Sequence, residues 1–268
     1  MPLLLCRQKA KLPFYYEKLN VRLWSAQELC YLIVRYPLLT LGDLPTEDLL
    51  RWISRELLMP GLSARLAREQ AAGESRENQL LLILQECNYY DVNEINAYRQ
   101  RVMELRKYSR DDYLREVGVA LFDAGRLALA RDSFREACAA VDERLRKSRD
   151  PVEKNRFLRK KAEIYLDLAA VSMRLFEERR ALDEIAASEL FCRTKRALRM
   201  TYLITGGGQL PDEERKAAEA ERKAAETAIE TGAAYKALQE IFRKDSVKRK
   251  EETGAQLLRW KQEYRRML

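Results

Sequence analysis

The side chains that most often carry out chemistry in proteins are sparse in this chain of 268 residues. It contains no histidine, which removes the commonest general base, Ser-His and Cys-His nucleophiles and every histidine-containing metal site. The five cysteines are far apart and form no Cys-x-x-Cys pair, so buried, reduced thiols explain them better than a disulfide framework or a zinc site. Carboxylate, lysine or cysteine chemistry remains open, but no motif supports it. We therefore expect no catalytic residue, metal or cofactor, and a protein that is not an enzyme.

Basic side chains are the other chemically informative group. The net charge is +8 with a pI near 9.2, yet 50 basic and 42 acidic residues are mostly interleaved, which is typical of a solvated helical surface. Excess positive charge lies at the two ends, with +4 over residues 1–23 and +5 over residues 236–268. Because aromatic residues accompany it, either end could contact nucleic acid or an anionic membrane surface. The candidate contacts are Lys9, Lys11, Lys248, Arg249, Lys250, Arg259, Trp260, Lys261, Arg265 and Arg266.

Both ends also have a purely structural interpretation. The aromatic residues of Pro13–Tyr16 could pack the N-terminal segment onto a helical body, because aromatic side chains bury the most area. The last helix could cap a stack of helices with a polar outer face. We favour the structural interpretation at both ends.

The composition predicts a mainly α-helical protein. Apolar residues make up 47% of the chain, glycine and proline number only 10 and 7, and Leu, Ala, Glu, Arg and Lys dominate. No apolar run approaches the about 18 to 20 residues that span a bilayer, and the first residues lack a basic segment before a long apolar one. We therefore expect a cytoplasmic location.

Local signals divide the chain into three predicted segments. Residues 1–24 form an extended segment packed on the helical body, with a small two-stranded ladder of Leu3–Cys6 and Asn20–Trp24. Residues 25–205 form a helical domain that begins at the capping box of Ser25 and Glu28. Residues 206–268 follow a glycine-rich break as one long charged helix to Lys244 and a basic terminal helix.

Within the helical domain, Asp111–Val141 has the clearest pattern. Apolar residues fall at helical spacing before and after Gly125, which predicts two antiparallel helices joined by a tight turn, each with one apolar stripe. The residues of the pattern are Leu114, Val117, Leu121, Leu127, Ala130, Phe134 and Ala137.

This spacing resembles the tetratricopeptide repeat, a two-helix unit of about 34 residues. Gly118 and Ala130 match its small positions and Phe134 matches its aromatic position, whereas Leu114 and Leu121 replace its usual Trp and Tyr. A degenerate second unit aligns after a shift of 51 residues, with Phe176 where the first has Gly125, and predicts two long helices over residues 155–205. The resemblance implies a short tetratricopeptide-like solenoid of helical hairpins.

The resemblance also implies a binding groove lined by the first helix of each unit. Its positions would be Asp112, Arg115, Val119, Phe122 and Asp123 in the first unit and Leu166, Ala170, Met173 and Arg174 in the second. Apolar members could contact a partner peptide or helix, and the arginines could bind a carboxylate or phosphate. Alternatively, these residues face another part of the same chain, with the helix after Pro211 filling the groove.

Two functional hypotheses follow. The first is a non-enzymatic scaffold or adaptor that binds another protein through the helical-repeat surface. The alternative is an accessory factor that binds nucleic acid or an anionic membrane through its basic ends. The start of the chain, including Leu5–Tyr16 and Trp24–Tyr31, is also similar to helical proteins of Gram-positive bacteria, which implies no activity.

Overall fold

The computed structural model describes residues 9–207 and 210–267, except for the side chain of residue 266. Over these residues the chain is mainly helical, with fourteen α-helices and one small antiparallel sheet, which confirms the predicted class. The tetratricopeptide-like arrangement stays a prediction. The predicted strand Leu3–Cys6 and the predicted contact of Arg266 lie outside the described residues.

The chain divides into two compact units, residues 1–133 (unit 1) and residues 134–268 (unit 2), and the division falls within a helix of the segment predicted as one helical domain. The elements of unit 1 are β1 Phe14–Tyr16, a 3-10 turn Glu17–Leu19, β2 Val21–Leu23, α1 Ala26–Arg35, α2 Pro37–Leu41, α3 Glu47–Arg55, α4 Pro60–Ala71, α5 Arg76–Cys87, α6 Val92–Leu105 and α7 Arg110–Asp123. Helix α8, Leu127–Lys147, crosses the division. Unit 2 continues with α9 Pro151–Arg174, α10 Glu178–Glu189, α11 Lys195–Thr205, α12 Asp212–Thr231, α13 Ala233–Phe242 and α14 Ser246–Met267.

The N-terminal hairpin is part of the core of unit 1. Strands β1 and β2 pair antiparallel with Phe14 opposite Leu23, so the strand predicted at Asn20–Trp24 is present and its partner is Phe14–Tyr16. Alternation along β1 buries Phe14 and Tyr16 and exposes Tyr15. The Phe14 ring lies 5.8 Å from the Trp52 ring, and Trp52 Nε1 donates a 2.8 Å hydrogen bond to the carbonyl of Leu12.

Side-chain caps set where several unit-1 helices begin. The Ser25 hydroxyl accepts from the backbone N–H of Glu28, and the Glu28 carboxylate accepts from the backbone N–H of Trp24, so the predicted capping box is present. Thr46 caps α3, and Asp91 forms a complete capping box with Glu94 at the start of α6. The apolar run Leu80–Leu84 lies in α5 and is buried on every side, as predicted.

Unit 2 has its own core, built from α9, α10 and α11. Alanines at the crossing of these helices are fully buried, which lets the backbones approach closely. The cluster contains Leu166, Ala169, Ala181, Ile185 and Ala197, with Met173, Met200 and Ile204 packed against it.

The turns after α7 and α9 have the same geometry, 51 residues apart. In each turn three successive backbone N–H groups bond back to the preceding helix, from Ala124, Gly125 and Arg126 in the first and from Leu175, Phe176 and Glu177 in the second. Gly125 and Phe176 both have a left-handed backbone, with φ of 75° and 60°. Buried positions also coincide, since Ala130 and Ala181 are both 0% exposed and Phe134 and Ile185 both 2%. The internal alignment made from the sequence is therefore visible in the backbone.

Two differences from the expected helix boundaries have local causes. The span predicted as two helices over residues 155–205 holds three, because α10 ends at Glu189 and Thr194 caps a new helix by accepting from Ala197 N–H. The helix predicted over residues 211–244 breaks at Gly232, where a Cβ atom would lie only 3.1 Å from the carbonyl oxygens of Ala228 and Ile229.

Candidate functional site

The C-terminal half of α7 lines a cleft in unit 1. Val119 and Asp123, two of the predicted groove residues, form its floor and rim together with Ala120 and Glu116. Steps of three and four place these residues on one face of the helix. The opposite wall is the junction of α1 and α2, and the cleft has a volume of about 420 Å³. Its other lining residues are Val34, Arg35, Tyr36, Pro37, Leu38 and Arg101.

Buried polar contacts fix α7 against α2. The Tyr113 hydroxyl donates a 2.9 Å hydrogen bond to the carbonyl of Leu38. Burial raises the pKa of Tyr113, and the nearby cation of Arg76 opposes this shift. The hydroxyl therefore remains a neutral donor near pH 7. At the start of α7, the Ser109 hydroxyl donates a 2.6 Å bond to the Asp112 carboxylate, so Asp112 supports the helix terminus.

A second cleft of about 290 Å³ adjoins the first. Both clefts include Tyr36, and Ala124 of the second follows Asp123 of the first. The second cleft is largely apolar and is lined by Leu19, Val21, Arg22, Leu23, Glu28, Tyr31, Leu32, Tyr36 and Ala124. We call the two together the unit-1 groove.

The second cleft borders β2. Its lining includes Val21, Arg22 and Leu23, which are all three residues of the strand. Successive side chains of a strand point to opposite faces of the sheet, so Val21 and Leu23 lie on one face and Arg22 on the other. The cleft therefore runs beside β2 for the whole length of the strand. Because β1 pairs with one edge of β2, the other edge has no strand beside it among the described residues.

The charged side chains that line the unit-1 groove differ in whether they already have a partner within the chain. Glu116 and Asp123 form no ion pair with any described residue. By contrast, the Arg35 guanidinium lies 6.0 Å from the Tyr36 ring centroid, and Arg101 pairs with Glu104 at 3.6 Å. Two carboxylates on one face of α7 are thus available to a ligand in the first cleft, and the Arg22 guanidinium, which also has no ion pair with a described residue, borders the second cleft.

The other predicted groove residues are placed differently. Arg115 and Phe122 are half-buried and already take part in contacts within the chain. In the second unit Met173 packs against the core cluster of α9, α10 and α11, and Leu166 belongs to that cluster. Arg174 is exposed and also has a contact within the chain. The structure therefore brings Val119 and Asp123 together in one cleft, whereas Met173 packs against the core of unit 2.

Helix α11 packs against the side of α9 where the second repeat was predicted to have its groove, near Leu166 and Met173. Arg196 of α11 reaches α9, where it pairs with Glu163 at 2.9 Å and Asp167 at 2.8 Å. Burial alone lowers the pKa of Arg196, but these two carboxylates outweigh burial and raise it. The segment that packs on α9 here is α11, Lys195–Thr205.

The basic residues singled out at the two ends are exposed where the structure describes them. Lys9 and Lys11 precede β1, and the remainder lie on α14. Trp260 is 38% exposed, and Tyr264 donates a 3.4 Å hydrogen bond to the carbonyl of Leu175. The described part of the chain contains no group of three or more acidic or cysteine residues placed to hold a metal. None of its helices is long and apolar enough to cross a membrane.

Comparison of the chain with models of protein families, with curated proteins and with solved structures finds no match. The interpretation of the site therefore depends on its own geometry.

Of the residues that line the unit-1 groove, the sequence pattern identified only Val119 and Asp123. Tyr31 of α1, Tyr36 directly after α1 and strand β2 come next to α7 only through the fold, because about 90 residues separate them from Val119 along the chain. A usable signal was the pair of aromatic residues Tyr31 and Tyr36, which are only partly buried although Leu29, Leu32 and Ile33 in the same stretch are buried.

Proposed function

We propose that this protein is a non-enzymatic interaction module that binds an extended segment of another protein in the unit-1 groove. Two observations carry the proposal: an apolar cleft borders β2 at Val21, Arg22 and Leu23, and one edge of β2 has no strand beside it among the described residues. An extended peptide can add to such an edge through backbone hydrogen bonds while its alternate side chains enter the cleft.

The groove also indicates what kind of peptide fits. Its apolar part, with Leu19, Tyr31 and Leu32, suits aliphatic or aromatic side chains. Beyond Tyr36 the carboxylates of Glu116 and Asp123 lack ionic partners among the described residues, so a Lys or Arg there gains a charge-assisted contact. The expected ligand is therefore an extended segment with an apolar stretch flanked by a basic residue.

The equivalent turns after α7 and α9 support a tetratricopeptide-like origin for this scaffold. In this scaffold, the first repeat presents Val119 and Asp123 to the ligand. The second repeat uses its corresponding face, with Leu166 and Met173, to pack the core of unit 2 (residues 134–268).

Selection from a library of random peptides tests the proposal. We expect the wild-type chain to enrich peptides with an apolar stretch and a flanking basic residue. Val119→Arg should weaken their binding by about tenfold or more, because it places a long cation on the floor of the cleft. The double variant Glu116→Lys/Asp123→Lys should shift the selected flanking residue from basic to acidic.

A matched control separates a groove effect from a net-charge effect. Glu136→Lys/Glu189→Lys makes the same change in net charge at exposed positions of unit 2. This variant should bind the selected peptides with wild-type affinity. Equal binding by all variants, or no enrichment of any peptide, would refute the unit-1 groove as a binding site.

A further inference from the structure

Helix α14 exposes one face that contains only basic, aliphatic and small residues. The positions follow one another at helical spacing, so they share one side of the helix. They are Val247, Lys250, Gly254, Leu257, Leu258, Lys261 and Arg265, and all are exposed. The exposed fractions are large for apolar side chains, at 67% for Val247, 48% for Leu257 and 59% for Leu258. We call this surface the basic face of α14; Glu251 lies at its edge.

The opposite side of α14 turns towards the rest of unit 2. Thr253, Gln256 and Met267 on that side are partly buried. Tyr264, which shares the side, donates its hydroxyl to the carbonyl of Leu175 at 3.4 Å. The basic face is therefore the outward side of a helix that is attached by its other side.

The cations of the basic face have no ionic partner in the described part of the chain. Lys250, Lys261 and Arg265 form no salt bridge there. Two neighbouring cations do have ionic partners, since Lys244 lies 2.7 Å from Glu252 and Lys248 lies 3.9 Å from Asp245. A face that joins unpaired cations to exposed leucines complements a surface that is both anionic and apolar.

We propose that the basic face of α14 binds the surface of a membrane containing anionic lipids. Leucine side chains can enter the boundary between headgroups and acyl chains, while lysine and arginine extend to the phosphates. Each cation near such a surface adds to the electrostatic attraction. Single-stranded nucleic acid fits less well, because it needs aromatic platforms: the face itself contains none, and Tyr264 at its margin is attached to the carbonyl of Leu175. A second copy of the same face would bring like charges together.

Vesicle co-sedimentation tests the assignment. The full chain is mixed with phosphatidylcholine vesicles and with vesicles that also contain about 30 mol % phosphatidylserine. We expect binding only to the anionic vesicles, with a steep decrease between about 0.1 M and 0.5 M salt. Lys261→Glu/Arg265→Glu should lower the partition coefficient by about tenfold or more. Leu257→Ser/Leu258→Ser should also lower it, because apolar burial is lost.

The control reverses two cations on the other side of the same helix. Lys248→Glu/Arg259→Glu changes the net charge by the same amount but leaves the basic face intact, so it should retain most of the binding. Circular dichroism checks that each variant stays helical. If the two charge variants lost vesicle binding equally, binding would depend on net charge, and the basic face of α14 would be refuted as the binding surface. Absence of vesicle binding, or tighter binding to a labelled oligouridine than to anionic vesicles, would overturn the lipid surface as its partner.

Discussion

Gly125 and Phe176 occupy the same position in two turns 51 residues apart, and both have a left-handed backbone, with φ of 75° and 60°. Glycine adopts this conformation without cost, whereas a bulky side chain pays about 1–2 kcal/mol for it. The Phe176 ring is 86% exposed, so packing returns little of that cost. The second turn therefore stores strain that the first does not.

Replacing Phe176 with a residue that tolerates the left-handed region should stabilise the protein. We expect Phe176→Asn to raise the free energy of unfolding by about 0.5–1 kcal/mol in urea denaturation, because asparagine relieves the backbone strain. Leu190→Asn is the matched control, since Leu190 is 84% exposed but has a φ of −64°. Leu190→Asn should not raise the free energy of unfolding. Destabilisation by Phe176→Asn would mean that the ring makes contacts worth more than the strain.

Enlarging a buried alanine between α9 and α10 should destabilise unit 2. Ala169 and Ala181 are 0% exposed within the core cluster, so Ala169→Leu or Ala181→Leu must push the helices apart. Overpacking of this kind costs about 1–3 kcal/mol. Ala186→Leu adds the same atoms at an exposed position of α10 and should change the thermal midpoint little. Faster amide hydrogen exchange over residues 151–205 in the first two variants only would locate the effect.

Truncating Arg196 should lower the free energy of unfolding more than truncating its neighbour Lys195. Arg196→Ala deprives Asp167, which is 7% exposed, and Glu163 of their bridge to α11, and we expect a loss of about 1–3 kcal/mol. The Lys195 side chain is 81% exposed and lies 3.5 Å from Glu214, so Lys195→Ala should change stability by less than about 0.5 kcal/mol. A double-mutant cycle of Arg196→Ala with Asp167→Ala measures the coupling. Zero coupling energy would contradict the bridge.

Two half-buried cysteines should differ in their reaction with iodoacetamide. A hydrogen bond with the Cys30 thiol lowers the pKa of Cys87, whereas burial raises the pKa of Cys138 to about 11. Because the thiolate is the reactive form, Cys87 should be alkylated at lower pH, and the rate for Cys138 should still rise at a pH of about 10. Mass spectrometry of each site gives both profiles.

The donor at position 30 can be varied separately. Cys30→Ala removes the hydrogen bond and should shift the Cys87 profile to higher pH, and Cys30→Ser keeps a donor and should preserve it. Identical profiles for the two variants would show that Cys30 does not stabilise the Cys87 thiolate.

The sequence was most informative where one residue determines local geometry. Ser25 and Glu28 predicted the start of α1, and Gly125 predicted the turn after α7. The break between α10 and α11 was missed, because Leu190–Arg193 contains neither glycine nor proline and the new helix starts from a side-chain cap at Thr194. Local signals of this kind compete with the packing of α11 on α9 and α10, which only the fold reveals.

The candidate site was accessible to sequence reasoning only on its α7 side. Helical spacing identified Val119 and Asp123, and both line the cleft. Spacing could not place Tyr36 or β2 beside them, nor show that Met173 faces α11, since these neighbours come from distant parts of the chain. The pairing of Cys30 with Cys87 depends on tertiary contact in the same way.

The hydroxyl of Tyr16 has a practical consequence for dissecting this protein. Tyr16 is 2% exposed and donates a 3.0 Å hydrogen bond to the carbonyl of Leu39, so the hairpin supplies part of the interior against which α1 and α2 fold. A truncated chain beginning at residue 25 would expose apolar side chains such as Leu39 and Trp52 to water and invite aggregation. Limited proteolysis should accordingly spare residues 14–23 until the whole of unit 1 unfolds.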